Sequence, residues 1–312
     1  MELILKNNRN IVYNVMTCLS FKDRYNLCIT NKDYFENKFK KYKHQELIQI
    51  KFKDHILTKK WLNIKFKMKI FNKKITNVSM LGKVHTLDLS WCNDLKDISM
   101  LENVHTLNLH YCQQITNVSM LGNVHSLNLS YTNITDVSML GNVHTLNLFW
   151  CHKITNVSML GNVHTLNLLN CQNIIDVSML GNVHTLELGG CKKIEDVSML
   201  GNVHTLDLSY CDNITDVSTL GNVHTLNLSG CKNIIDVSML GNVHTLKLRY
   251  CYGITDVSML WNVNTLDIYC CKNITDVSML GNVHALNLQK CKNIPQKQIN
   301  DLKKPVKQLK YK

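Results

Sequence analysis

No stretch of the 312 residues holds eighteen consecutive uncharged apolar side chains, which excludes a membrane-spanning helix of ordinary length. The start, MELILKNNRN, has no apolar core segment and turns polar at Lys6, so no secretory signal is expected and the chain reads as intracellular. Neither a glycine-rich phosphate loop nor a C-x-x-C metal knuckle occurs, and no Ser-His-Asp or Cys-His set stands apart from its background. An enzyme acting alone is therefore not expected, nor a metal or other cofactor. Acidic residues are short of basic ones, 23 against 35, giving a formal charge of +12. That excess sits at the ends: residues 1–73 carry +11 and residues 295–312 carry +5, whereas residues 74–294 carry −4. A nucleic-acid reader would line its main surface with Lys and Arg, so the acidic centre argues against one; basic ends docking on RNA or acidic membrane is the weaker alternative. The 13 cysteines are odd in number and, without a signal, point to reduced thiols rather than a disulfide framework.

What the chain has in abundance is itself. The string V-H-T-L-N-L recurs, with changes, from Val84 through Val104 and Val124 to Val283, at intervals of 20 residues except for 19 between Val124 and Val143, where Thr132 takes a cysteine's place. A fixed short period means a stacked array. One unit reads Val203, Leu206, Leu208, Cys211, Ile214, Val217 and Leu220. L-x-L places both leucines on one face of a short strand, and the other apolar positions turn to the same interior. A single unit cannot bury enough surface to offset the ordering of its backbone, so neighbours must supply the rest. Too few residues follow the strand for a full α-helix; T-D-V-S-M-L predicts one tight turn capped by Asp or Asn, as at Asp136 or Asn156. Glu102 and Trp261 replace the glycine of the G-N pair, so that position cannot require a positive φ.

These residues resemble the leucine-rich repeat in its cysteine-bearing variety, over residues 74–294. The resemblance implies an α/β repeat fold: a solenoid with a parallel concave sheet and a short 3-10 or irregular convex side, as in internalin-like proteins. Residues 295–312 break the period as a basic C-terminal cap, with Val306, Leu309 and Tyr311 spaced for one last strand. Residues 61–73 form an N-terminal cap strand or linker, in which Ile64, Phe66, Met68 and Ile70 alternate with lysines as suits a guarded edge strand.

Residues 1–60 lack the repeat and read as helical, Ile11, Val12, Val15 and Leu19 sharing one face. The run Leu19-Ser20-Phe21-Lys22-Asp23, followed by Tyr25, Leu27 and Tyr34, is similar to the F-box pattern. Together the two resemblances match F-box/leucine-rich-repeat proteins, particularly those of large DNA viruses of amoebae. They imply a protein-interaction role as substrate receptor of a cullin-based ubiquitin ligase, working in host cytoplasm or nucleus. Leu19, Asp23, Tyr25, Leu27 and Tyr34 would contact a Skp-type adaptor, and catalysis would belong to the partner complex. The alternative is a helical cap on a stand-alone scaffold or host-protein-binding solenoid.

Three ladders run along the array. Histidines from His85 to His284, broken only by Asn264, are expected to be a polar surface row, with zinc or proton binding as the weaker reading. Cysteines from Cys92 to Cys291 are expected in the core, and methionines from Met80 to Met279 are expected to pack on the back of the coil. The variable positions lie between and after the two leucines. There Trp91, Tyr111, Tyr131, Phe149, Trp150, Tyr210, Arg249, Tyr250 and Tyr269 supply the side-chain types that anchor protein interfaces, and they are the expected contacts for a protein target whose identity the sequence does not disclose. Gly189, Gly190 and Gly230 are expected to leave a shallow gap among them.

Overall fold

A computed structural model describes residues 50–52, 67–70, 74–82 and 84–311. They form one continuous parallel sheet of 14 strands, in which spatial order equals chain order. Most strands are three residues long, for example β9 (Thr205–Asp207) and β10 (Thr225–Asn227). Each pairs with its neighbour in a register that superimposes equivalent positions: Thr205 on Thr225, Leu206 on Leu226, Asp207 on Asn227. The ladder continues past the strand, since the Leu208 and Tyr210 N–H groups donate to Asn227 O and Ser229 O of the next coil at 2.8 Å.

The seven apolar positions anticipated for each unit all point inward. Val203, Leu206, Leu208, Cys211, Ile214, Val217 and Leu220 are each at most 2% exposed, and they join their counterparts in a single core running the length of the solenoid. On the convex side each coil makes a 3-10 turn such as Ser138–Leu140. The preceding Asp136 starts it: its Oδ1 accepts the Ser138 N–H at 2.9 Å, leaving one fewer orphan donor at the turn's start. Asn77, Asn117 and Asn156 make the same bond to Ser79, Ser119 and Ser158. The glycine of the G-N pair has an ordinary negative φ, −61° at Gly141. It is there for room, because a Cβ on Gly141 would run into the Met159 carbonyl oxygen of the next coil.

The short unit keeps the sheet in step. Ser126 pairs with Thr145 and Leu127 with Leu146, so the missing residue is absorbed in the loop after Thr132. Thr132 is buried there, and its hydroxyl donates to Leu129 O at 2.6 Å.

At the C-terminus, helix α1 (Gln296–Leu302) buries Ile299 and Leu302 against the last coil, and strand β14 (Gln308–Lys310) closes the sheet beside β13 (Ala285–Asn287). The final strand is thus where the V-x-x-L-x-Y spacing put it. The N-terminal side differs from expectation. Lys67–Ile70 is a strand, β2, but not an edge: it pairs with β3 (Thr86–Asp88) on one side and with β1 (Ile50–Phe52) on the other. Strand β1 falls inside the 1–60 span read as helical; its Ile-Lys-Phe triplet is too short for a period to be read from sequence. The remaining expectations for residues 1–60 lie outside the described residues. Among the described residues no helix is long and apolar enough to cross a membrane.

Candidate partner-binding surface

The third residue after the strand turns the chain away from the sheet, and in every coil from Trp91 to Lys290 it does so with a left-handed backbone. Trp91, Tyr111, Tyr131, Trp150, Tyr210 and Tyr250 have φ between 58° and 68°, alongside Asn170, Cys270 and Lys290. Gly190 and Gly230 occupy the same place at 77° and 82°. Glycine and asparagine are the residues this conformation favours. Large rings there carry a backbone cost of roughly 1–2 kcal/mol each. They stand along a rim on which Trp91, Trp150 and Tyr210 are 43%, 38% and 54% exposed, while Tyr111, Tyr131 and Tyr250 are half-buried.

The nine expected contact residues fall into two clusters and one outlier. Trp91 stacks on Tyr111 with ring centroids 4.0 Å apart, Tyr111 lies 6.0 Å from Tyr131, and Tyr131 stacks on Trp150 at 5.6 Å. Phe149 meets Tyr131 edge-on at 5.2 Å. His110, at the variable place that Phe149 fills in its own coil, does the same at 5.4 Å while its Nδ1 lies 2.7 Å from Ser130 Oγ. Burial holds the His110 imidazole below its ordinary pKa, with Asp88 opposing. The second cluster is built on Asp267. Its Oδ2 pairs with Arg249 Nε at 2.6 Å, while its Oδ1 accepts the Tyr269 N–H and an Asn287 amide hydrogen. Arg249 thereby sits 5.5 Å from the Tyr269 ring, which Tyr250 meets edge-on at 5.3 Å.

Tyr210 lies between the clusters, across Gly230, where an added Cβ would sit 2.5–2.7 Å from ring carbons. The expected gap at the glycines is therefore corrected. Gly189, Gly190 and Gly230 are buried: Leu169 and Ser209 crowd Gly189, Asn170 covers Gly190 and Tyr210 covers Gly230. Neighbours lean into the space that a missing side chain leaves.

A second polar ladder escaped the sequence reading. At the last strand position, Asn128, Asn147, Asn167, Asp207 and Asn227 each accept, through Oδ1, the N–H two residues on, at 2.8–3.1 Å. These side chains stop the strand rather than merely vary on its surface; the repeated Asn or Asp before the turn was the available signal. Glu187 and Lys247 interrupt the row. Burial, and then the neighbouring Asp207, push the Glu187 carboxyl above its ordinary pKa.

The three sequence ladders separate by environment. The cysteines are free and buried, and they do more than fill space: Cys231 Sγ donates to Leu208 O at 3.1 Å and Cys271 to Leu248 O at 2.9 Å. From Cys112 onward each ladder thiol thus adds a second donor to a carbonyl one coil back that already accepts a backbone N–H, as Leu208 O does from Cys211 at 3.2 Å. Burial pushes the Cys92 thiol up to about 12 and Cys112 to about 11, so these are unreactive groups. The histidines stack on an exposed edge; from His144 to His244 successive rings are 4.6–4.7 Å apart and within about 10° of parallel. Parallel rings do not converge on a common point, and among the described residues no group of three His, Cys, Asp or Glu is placed to hold a metal ion.

The methionines overturn their expectation. Met139, Met159, Met179, Met199 and Met239 are 59–62% exposed. In a 3-10 turn, side chains three apart eclipse, so Val237 and Leu240 face inward and the Met between them is turned out. The five adaptor positions, Leu19, Asp23, Tyr25, Leu27 and Tyr34, lie outside the described residues.

A one-strand coil of twenty residues, a shared apolar core, a thiol row and a 3-10 convex side define a leucine-rich-repeat solenoid. Among solved structures, an internalin (inlF) of Listeria monocytogenes superimposes with a TM-score of 0.65 at 22% identity, covering 83% of this chain and 85% of that one. The functional domain of InlJ from Listeria monocytogenes, which includes a cysteine ladder, gives a TM-score of 0.51 at 18% identity, covering 76% of this chain and 57% of that one. At these identities the likeness is one of fold. No protein-family model matches the chain. No curated protein matches it in sequence.

Proposed function

We propose that this chain is a protein-recognition solenoid that holds its target along the strand-end rim of the concave face. One observation carries the reading: bulky aromatics occupy a left-handed position that Gly190 and Gly230 fill without steric cost. Strain retained at repeated, exposed sites fits a surface kept for binding, and exposed Trp, Tyr and Arg are the side chains that dominate interface energetics. The rim offers an aromatic wall from Trp91 to Trp150 and a fixed guanidinium at Arg249.

The finer reading is that of a substrate receptor in a Skp/cullin/F-box ubiquitin ligase, acting in host cytoplasm or nucleus, with Leu19, Asp23, Tyr25, Leu27 and Tyr34 on the adaptor. The L-S-x-x-D run supports it, and on this reading catalysis resides in the partner complex. The competing reading is a stand-alone scaffold. A pull-down from eukaryotic lysate with the full chain, read by mass spectrometry, separates the two: recovery of the Skp-type adaptor supports the receptor, and its absence with the solenoid folded supports the scaffold. In the same experiment Trp150→Ala with Tyr210→Ala should lose the captured target while leaving the solenoid intact; undiminished capture would refute the rim as the binding surface.

A further inference from the structure

The convex side carries an amphipathic stripe with its own chemistry. Next to the exposed methionines, Ile175 and Ile235 are 63% and 69% exposed where most coils have Thr. Isolated apolar side chains on a surface are ordinary, but a contiguous row is not. Charge along this stripe is one-sided. From residue 175 to 279 the five positions before each inward leucine hold Glu195 and an Asp in every coil, and no Lys or Arg. The Asp places are Asn in three of the earlier coils, at Asn77, Asn117 and Asn156, so the acidic run belongs to the second half of the solenoid.

Between successive coils the stripe opens into grooves. One of about 280 Å³ is floored by Val177 and Val197, flanked by Ile175 and Met199, and rimmed by Asp176 and Asp196. Two coils on, another of about 240 Å³ repeats the arrangement between Asp216 and Asp236, beside Met239. An apolar channel ending in carboxylates suits a long basic side chain, whose methylene stem lies on apolar surface while its charged head reaches the acid.

We propose that this convex stripe, from about Ile175 to Met279, is a second docking surface, and that its occupant is a partner segment alternating basic and apolar side chains, the Lys or Arg stems seated between coils. It is separate from the concave rim and does not depend on it.

The chain itself supplies variants that keep the fold. Asp176→Asn, Asp196→Asn, Asp216→Asn and Asp236→Asn together install the residue already present at Asn77, Asn117 and Asn156, where the bond to the Ser N–H is kept. Ile175→Thr with Ile235→Thr installs the residue of most other coils, and Met199→Thr copies Thr219. The probe is a labelled synthetic Lys/Leu peptide, with a Glu/Leu peptide of equal length as control, titrated by fluorescence anisotropy against the full chain. The wild type should bind the Lys/Leu peptide, less tightly as salt is added. The fourfold Asn variant should bind about tenfold more weakly, and the Thr variants several-fold more weakly, with every variant still unfolding in one cooperative transition. The proposal is overturned by failure of the wild type to bind, by equal binding of the Glu/Leu peptide, by affinity unchanged in both variant sets, or by loss of binding in Trp150→Ala instead. Self-association that disappears in the same variants would assign the stripe to a second copy of the chain and equally overturn it.

Discussion

At Tyr210 the backbone and the side chain want different things. The left-handed φ of 58° suits Asn or Gly, whereas the ring, half-exposed over Gly230, suits a binding surface. Tyr210→Asn should therefore leave stability within about 0.5 kcal/mol of wild type, while target capture falls. Tyr210→Val, which brings a β-branched side chain to the same φ, should lose roughly 1–2 kcal/mol. Chemical denaturation of both variants checks this; equal losses would show that the backbone conformation is not what matters there. The thiols pose a separate residue-level question. Cys231→Val keeps the bulk apolar but leaves Leu208 O with the Cys211 N–H as its one remaining donor, and should cost about 0.5–1.5 kcal/mol. Cys231→Ser keeps a donor at this place, as Thr132 does in its coil, although the Thr132 hydroxyl turns to Leu129 O of its own coil rather than to the coil before, and should cost less than the Val variant. If Val proved no worse than Ser by denaturant midpoint, the cysteine ladder would be packing alone.

The element that responds to acid is the convex 3-10 turn. Asp97, Asp136, Asp176, Asp196, Asp216, Asp236, Asp256 and Asp276 are all held below the ordinary carboxylate pKa, chiefly by the backbone N–H of the serine two residues on. A carboxylate depressed in the folded state contributes stability that is complete above its unfolded value, about 3.9, and is lost as pH falls through the lower folded value. Melting temperature should therefore fall with acid below about pH 4. His204 adds an earlier loss. Desolvation, then His224 and His184, hold its imidazole below the ordinary value, so this contribution declines as pH drops through about 6.5. Replacing the eight aspartates by Asn should preserve the turns and flatten the lower transition; an unaltered acid profile would locate the titrating groups elsewhere.

The Asp cap of this turn, like the period, the L-x-L strand and the inward cysteine, was legible because each is a residue type repeated at a fixed place. The outward Met was equally present in the string, yet its direction follows from the 3-10 period rather than from hydrophobicity. The left-handed rim was hidden because Trp and Tyr are poor signals for positive φ; Gly190, Gly230 and Asn170 carried the information in a minority of coils. Strand β1 lay beyond reach, since three residues without a repeat around them define no pattern.

At the scale of the molecule, the solenoid is a ruler. Each coil touches its neighbours and almost nothing else, so stability is a sum of local terms and a whole unit can be removed without breaking a long-range contact. Removing residues 163–182 tests whether the two halves of the rim act together. The junction joins Asn162 to Val183, the same Asn-Val step found between coils from Asn103 to Val283. Cys191 would then face Leu148 O, which Cys171 now serves, and Gly190 would lie beside Trp150 much as Gly230 lies beside Tyr210. The shortened chain should fold with a lower but still cooperative transition. Its aromatic wall and Arg249 would stand closer by one strand spacing, about 4.8 Å. A target gripping both clusters would then lose more affinity than either Trp150→Ala or Arg249→Ala alone removes, because neither cluster could be engaged without straining the other. A target held by one cluster would bind the shortened solenoid as it binds the full one, and the rim would then be two separate sites rather than one.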